Sequence, residues 1–329
     1  MKKRLLSGMR PTGSLHLGHL VGALRNWVQL QEKFECFYMI ADWHALMSEY
    51  ENSGAIEKNS IDMLADWISC GVDPNRSVIF VQSHVKEHLE LEKVLACIVP
   101  LPLLERNPTY KEQLRELKGR NLTTYGFLGY PVLQAADILV YKASAVPVGE
   151  DQAAHLELTR EIVRKFNNLY GKVFPEPETL LTATAKLKGL DRRKMSKSYN
   201  NYIALSDSSE VVKKKVMSMI TDPEKIKLND KGHPDICNVC SYFTVFAPER
   251  SENVRDLCHK GERGCIKCKN ELSDILIDKI APIRDQRAKL LKDKETLMGL
   301  LKKGNDRARD VASETMRDVR KRVGIFRDL

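Results

Sequence analysis

Three groups of residues in the sequence could do chemistry. The first is His16 and His19, three apart in "GMRPTGSLHLGHL" (Gly8 to Leu20). At the start of a helix both imidazoles project from one side of the first turn. With the backbone N–H groups and the helix dipole they would suit an anion such as the triphosphate of a nucleotide. Gly13 permits the turn, and Gly18 would leave no side chain between the two rings, so that something bulky can approach the backbone. The same residues could instead be capping or core histidines beside ordinary turn glycines.

The second group is "LDRRKMSKS" (Leu190 to Ser198), which clusters Arg192, Arg193, Lys194 and Lys197. Two lysines separated by Met195 and Ser196 could close over a phosphate and follow the charge that develops as it is transferred. Alone, this would be an ordinary basic loop. Paired with the histidine motif, in this order, it points to nucleotide chemistry.

The third group is cysteine. Five of the eight, Cys237, Cys240, Cys258, Cys265 and Cys268, fall within 32 residues. "CNVC" and "CIKC" would make a four-cysteine zinc site on spacing. A rival set, Cys237, Cys258, Cys265 and Cys268, has gaps of 20, 6 and 2, and all-thiolate ligation suits zinc or an iron–sulfur cluster. Free thiols are the third reading. Cys36, Cys70 and Cys97 lie in apolar strands or helices and read as core.

Asp137 stands inside the apolar stretch "LQAADILVY" (Leu133 to Tyr141). A carboxylate there needs a donor partner; otherwise it is exposed or paired with an arginine.

The elements that must position these residues are legible from periodicity. Strands are expected at "KRLLSGM", Cys36 to Ala41 and Ser77 to Gln82; helices at His16 to Gln31, Ile56 to Cys70 and Val85 to Ile98. That alternation predicts an α/β fold, with a parallel sheet covered by helices on both faces. Beyond about Ala204 helical patterns dominate, notably Asn270 to Leu301 and Arg307 to Val323. The boundary is expected within 185–205, and no internal repeat is present.

The chain of 329 residues, 43% hydrophobic and 29% charged, is that of a soluble globular protein with room for two cores. Its basic start, "MKKRLLSGM", lacks the apolar stretch of a signal peptide. The longest apolar run, "ACIVPLPLL" (Ala96 to Leu104), is too short for a membrane span. A cytoplasmic location with no membrane partner is expected. Of the net charge of +9, Ala281 to Leu329 contribute 14 Lys/Arg against 8 Asp/Glu, which suits phosphate-bearing partners or a solvated helix face.

On these motifs the chain resembles the class I aminoacyl-tRNA synthetases. Their signatures HIGH and KMSKS stand here as His16-Leu17-Gly18-His19 and Lys194-Met195-Ser196-Lys197-Ser198. Within that family "ADWHAL" (Ala41 to Leu46), "YPVLQAADILVYKA" (Tyr130 to Ala143) and "VPVGEDQAAHLELTREIVRKFN" (Val146 to Asn167) look like blocks of the bacterial tryptophan branch. The resemblance covers essentially the whole chain. It implies a Rossmann-like parallel-sheet catalytic domain over 1–188, a KMSKS loop and linker over 189–204, and an α-helical anticodon-binding domain with the Cys-rich metal site over 205–303. A C-terminal helix over 304–329 would pack back on the catalytic domain.

It also implies the reaction and its participants. The carboxylate of L-tryptophan attacks ATP, accompanied by Mg2+, giving an adenylate and pyrophosphate; tryptophan then passes to the 3′ end of tRNA(Trp). His16, His19, Lys194 and Lys197 would be catalytic. Arg10, Thr12, Gly18, His19, Gly149, Asp151, Lys194, Met195, Ser196 and Lys197 would bind ATP. Asp137 would accept from the indole N–H, with Tyr130, Gln134, Gln152 and His44 around the amino acid; some tryptophan enzymes carry methionine where Gln134 stands. Cys237, Cys258, Cys265 and Cys268 would hold a [4Fe–4S] cluster as in some members, with Zn2+ as the alternative, although the first gap is slightly longer in those members. A homodimer is implied. A tyrosine-specific ligase is the confusable relative, and a catalytically idle, metal-containing RNA-binding paralogue the reading from another class.

Overall fold

Alternation along the strands sends side chains to two opposite faces, and each face is buried under helices. In the computed structural model, which describes residues 2–325 except 109, 112, 113, 115–121, 150–152, 182–186 and 198, Cys36, Tyr38 and Ile40 join one core cluster while Phe37 and Met39 join the other. Leu5 and Leu6 divide in the same way. Both faces are apolar because both are covered.

The described strands are β1 (Arg4–Met9), β2 (Glu35–Ile40), β3 (Ser77–Val81), β4 (Ala145–Val148) and β5 (Glu178–Leu181). They pair in parallel in the order β3-β2-β1-β4-β5, with Leu5 opposite Cys36 and Ala145. The strand order reverses between β1 and β4, which leaves a crevice beyond their carboxyl ends. β4 and β5 are four residues each, too short to show a period in the sequence.

One face carries α1, which runs as Leu17–His19, a π-helical turn Leu20–Leu24 and Arg25–Leu30, together with α3 (Ile56–Ser69). The other carries α4 (Glu87–Ala96), α5 (Tyr125–Val140) and α6 (Ala153–Tyr170). Between β2 and α3 lies α2 (Asp42–Glu49). The chain then becomes helical: α7 (Ser209–Ser218), α8 (Asn238–Phe246), α9 (Pro248–His259), α10 (Cys265–Lys292) and α11 (Lys294–Val323). The first core cluster runs without a break from Leu5 and Tyr38 through Val212, Tyr242, Leu272 and Leu276.

The last two helices divide differently from the expectation of breaks at Leu301 and Arg307. The break falls at Asp293, whose Oδ1 accepts the Thr296 N–H as an N-cap. Gly304 is no helix breaker here. A Cβ at Gly304 would lie 1.8 Å from the Ile79 carbonyl oxygen, so glycine lets α11 press onto the backbone of the edge strand β3. Next to it, Asn305 Oδ1 accepts the Val81 N–H at 2.9 Å. A second correction concerns Cys97. It is exposed rather than core, because the buried stripe of α4 runs through His88, Leu91 and Leu95 and residue 97 falls off it.

Gly304→Ala forces α11 away from β3 and is expected to cost about 3 kcal/mol, at the upper end of overpacking effects; urea unfolding of both proteins measures it.

Candidate active site

A cavity of about 560 Å³ opens where β1, β2 and β4 end. Its lining includes Ser7 to Arg10 from β1 and its exit, Val146 to Gly149 from β4, and His19, Gly22, Ala23, Asn26 and Trp27 from α1. Gly22 and Ala23 lie in the π-helical turn, a local widening common at functional sites. Phe127, Tyr130, Gln134 and Asp137 face it from α5, and His44 and Met47 from α2.

Asp137 is 1% exposed. Its Oδ1 accepts from Gln82 Nε2 and His88 Nδ1, each at 2.7 Å, and its Oδ2 meets His44 Nε2 at 2.7 Å. Burial pushes the carboxyl pKa up, yet the charges and hydrogen bonds of His44 and His88 outweigh it and hold the group at about 2. An ionised Asp137 accepts only, so His88 Nδ1 donates to it, and His88 Nε2 lies 2.7 Å from the Tyr141 hydroxyl. Oδ1 is thus doubly engaged, while Oδ2 keeps room for one more donor from the cavity. The partners are two histidines and a glutamine, not the arginine weighed from the sequence. Tyr130 hydroxyl lies 3.0 Å from His155 Nε2.

Of the histidine pair, His19 lines the same cavity, whereas His16 lies behind it and outside the lining. The His16 N–H donates to His19 Nδ1 at 3.2 Å, and the rings lie 3.8 Å apart. His19 therefore carries its proton on Nε2, the donor left for the cavity. Burial, with Lys197 nearby, brings the His16 imidazole down to about 4. Burial, His16 and Lys197 push His19 well below its ordinary value. Both rings are neutral near pH 7. Among the described residues His16 Nδ1 is buried without a hydrogen-bond partner, an arrangement that wants a ligand atom or water.

The basic loop is folded onto this histidine segment. The Leu17 N–H donates to the Ile203 carbonyl at 3.1 Å, and the Leu205 N–H to the Leu15 carbonyl at 3.0 Å. Lys197 Nζ donates to the Gly13 carbonyl at 2.8 Å, where Gly13 has φ of +117°. Burial and Arg10 lower the Lys197 ammonium to about 8, with Asp66 and Glu49 pulling the other way. Within the loop Asn201 is the hub: its Oδ1 accepts the Ser196 N–H, and its Nδ2 donates to Asp191 Oδ1 and the Lys194 carbonyl. From α8, Tyr242 hydroxyl and Asn238 Nδ2 donate to the carbonyls of Lys188 and Gly189.

The structure thus brings His44, Tyr130, Gln134 and Asp137 to one cavity with Arg10, His19 and Gly149. Thr12 and Ser196 are half-buried away from its lining, and Lys194 is exposed. Met195 is buried in the core. Gly18 departs from expectation: a Cβ there would meet the His16 ring at 3.0 Å and Met195 Sδ at 3.1 Å. Its gap is filled by the two motifs packing on each other, not left open for a ligand. Asp151, Gln152 and Ser198 lie outside the described residues. Gln82 and His88 were missed by sequence reading; a histidine and a glutamine where β3 passes into a helix were the signal.

Cys237, Cys240, Cys258 and Cys268 are buried and Cys265 is half-buried. The Cys240 thiol donates to Cys237, which lowers Cys237 and raises Cys240. Arg263 Nε donates to Cys268 Sγ at 3.0 Å. Among the described residues no three Cys, His, Asp or Glu side chains are drawn together closely enough to hold a metal ion. No described helix is long and apolar enough to cross a membrane.

The sequence profile of the tRNA synthetases class I (W and Y) matches residues 1–279. The tryptophan–tRNA ligase of Thermotoga maritima is 49% identical over 326 residues, spanning 98% of this chain and 99% of that protein. That of Aquifex aeolicus is 42% identical, spanning 98% and 100%. The crystal structure of tryptophanyl-tRNA synthetase from Campylobacter jejuni complexed with ADP and tryptophan superposes with a TM-score of 0.89 at 34% identity, covering 98% of this chain and all of that one (100%).

The neutral histidines give the fold an acid-labile component. His16 titrates at 6.5 when unfolded and near 4 when folded, so the unfolded chain takes the proton first. Its contribution is full above pH 6.5 and falls as pH drops toward 4, by up to about 3 kcal/mol. Urea unfolding across that window is expected to show the loss, and His16→Gln a shallower one.

Proposed function

We infer the reaction from the family to which the chain belongs, the class I tRNA synthetases (W and Y): it is a tryptophan–tRNA ligase. It activates L-tryptophan with ATP to tryptophanyl-adenylate and pyrophosphate, then esterifies tRNA(Trp). The observation that carries the specificity is the buried, ionised Asp137 at the cavity wall with one acceptor position open. An indole N–H fills that position, whereas a substrate without a donor there leaves a buried charge underserved.

No protein nucleophile is needed. The tryptophan carboxylate attacks the α-phosphorus, and positioning and charge stabilisation lower the barrier. In this reading Tyr130, Gln134 and His44 line the amino-acid end. The neutral His19 Nε2–H, with His16, donates to phosphate oxygens. Lys197, Lys194 and Arg10 balance the charge of the departing pyrophosphate, and Mg2+ enters with ATP. Asp151 and Gln152 complete the ribose and amino-acid contacts, and Thr12, Ser196 and Gly149 the phosphate end. The catalytic unit is 1–188, with 189–204 as its phosphate loop. The helices over 205–303 read the anticodon on a basic surface, and the working form is a cytoplasmic homodimer.

Cys237, Cys258, Cys265 and Cys268 match a [4Fe–4S] cluster in donor chemistry, four thiols from α10 and the segments before it, which would have to draw closer together to hold it. These four would hold it as a brace of the helical unit, and it supplies nothing to the transfer step. Zn2+ on Cys237, Cys240, Cys265 and Cys268 is the alternative. Iron and sulfide analysis of protein purified without oxygen is expected to give about four of each per chain; zinc alone assigns the other set.

The reaction is tested by amino-acid-dependent ATP–pyrophosphate exchange. Tryptophan is expected to support it and tyrosine not. Asp137→Asn is expected to lower kcat/KM for tryptophan about a hundredfold, the worth of a charged hydrogen bond, with KM for ATP little changed. Exchange with tyrosine overturns the assignment of the pocket.

A further inference from the structure

The stretch from Val81 to Glu90 carries two of the three donors that hold Asp137. Gln82, just past the end of β3, and His88, in the first turn of α4, each meet Asp137 Oδ1 at 2.7 Å. Both side chains are fully buried. Between them the chain is neither strand nor long helix: β3 ends at Val81, Gln82 to His84 form one 3-10 turn, and α4 begins at Glu87. The path of such a connection is set by the partners of its backbone and side chains.

One helix supplies four of those partners. Along α11, Asn305 Oδ1 accepts the Val81 N–H at 2.9 Å, and Arg309 Nη2 donates to the His84 carbonyl at 3.0 Å. Ser313 Oγ donates to the Glu87 carboxylate, and Arg320 Nε and Nη2 both reach that of Glu90 at 2.7 Å. Residues 305, 309, 313 and 320 share one face of a helix, and their order follows the order of their partners, so the two segments run side by side. The third donor is tied to the same stretch. Asp42 Oδ1 accepts the Ser83 N–H at 2.9 Å and the Trp43 N–H at 3.1 Å, which joins the residue after Gln82 to the first turn of α2, where His44 stands.

We propose that α11 is a template for tryptophan recognition, with Asn305 and Arg309 as positioning residues that act through Gln82 and His88 on the carboxylate of Asp137. The proposal rests on the assignment of Asp137 to the indole N–H. Neither Asn305 nor Arg309 lines the cavity, so neither touches the substrate. Asn305 holds the residue before Gln82, and Arg309 holds His84, between Gln82 and His88. Loss of either bond frees the stretch to shift. Because both donors sit on Oδ1, the carboxylate turns with them, and the indole bond on Oδ2 weakens. The phosphate end is built on α1 and the basic loop, so ATP stays outside the effect.

The test is steady-state ATP–pyrophosphate exchange on the full chain, with L-tryptophan and with its benzothiophene analogue, in which sulfur replaces the indole N–H. Asn305→Leu and Arg309→Met are compared with Val319→Ala, and a melting temperature is recorded for each. Val319 is fully buried in the core contact of α11, roughly 21 Å along the helix from Asn305. Asn305→Leu and Arg309→Met are expected to raise KM for tryptophan about tenfold, the worth of a weakened hydrogen bond to a charged group. KM for ATP and for the analogue stay within about twofold, so the preference for tryptophan over the analogue falls about tenfold. Val319→Ala is expected to lower the melting temperature and leave all three KM values unchanged. An undiminished preference in folded Asn305→Leu and Arg309→Met overturns the template. An equal loss of preference in Val319→Ala also overturns it, in favour of general docking of α11. An unaltered protein that takes the analogue as well as tryptophan overturns the reading of Asp137, and one without tryptophan-dependent exchange overturns the functional reading; the proposal falls with either. Should Asn305→Leu fail to fold, Arg309→Met, whose side chain is exposed, carries the test through the same preference.

Discussion

Asp137 holds a charge that is almost wholly buried at the cavity wall, and that charge is tolerable only while the donors around it stay turned toward it. The donors come from three separate elements: His44 from α2, Gln82 from the end of β3 and His88 from α4. Any shift of β3 against α5 would uncover the carboxylate. The cavity wall is thus fixed before a substrate arrives. Tyr141 extends the constraint by one step, since its hydroxyl lies 2.7 Å from Nε2 of the ring whose Nδ1 meets Asp137. Specificity here is a by-product of what the empty protein must do to keep one buried charge satisfied.

The phosphate end follows a different logic. Its groups lie in loops and at a helix start, and their order comes from mutual support. The strand-like pairing of Leu15 and Leu17 with Ile203 and Leu205 ties together segments nearly two hundred residues apart. Asn201 organises the basic loop from within, while Tyr242 and Asn238 hold it from the helical unit. Burial keeps the two histidines neutral, so they donate hydrogen bonds without repelling Lys197. Positive charge is left to lysine and arginine side chains, which can move.

Much of this was legible in the sequence where the signal is local. The first three strands and the helices after them follow period 2 and period 3.6, and the histidine and lysine motifs stand where a strand–turn–helix and a polar loop were expected. What was not legible depends on distant partners. Nothing near Asp137 in sequence names His88 or Gln82. Gly18 looked like an opening because the sequence could not show that His16 and Met195 fold over it. The break expected between Leu301 and Arg307 is instead continuous helix, because the close approach of Gly304 to Ile79, 225 residues away, cannot be read locally. Cys97 looked apolar in context, and only the face of α4 decides that it meets solvent.

The bond from Val81 N–H to Asn305 Oδ1 spans 224 residues, and that separation has a consequence in time. During synthesis β3 emerges early, as the outer strand of the sheet, more than two hundred residues ahead of the helix that closes its backbone. At ordinary ribosomal speeds the interval is roughly ten to forty seconds. Through that time the nascent sheet has an unsatisfied rim, the kind of surface that chaperones hold and neighbouring chains on a polysome can pair with. Closure of that edge therefore waits on α11: a ribosome that stalls before Asn305 leaves an open sheet, not a smaller finished enzyme.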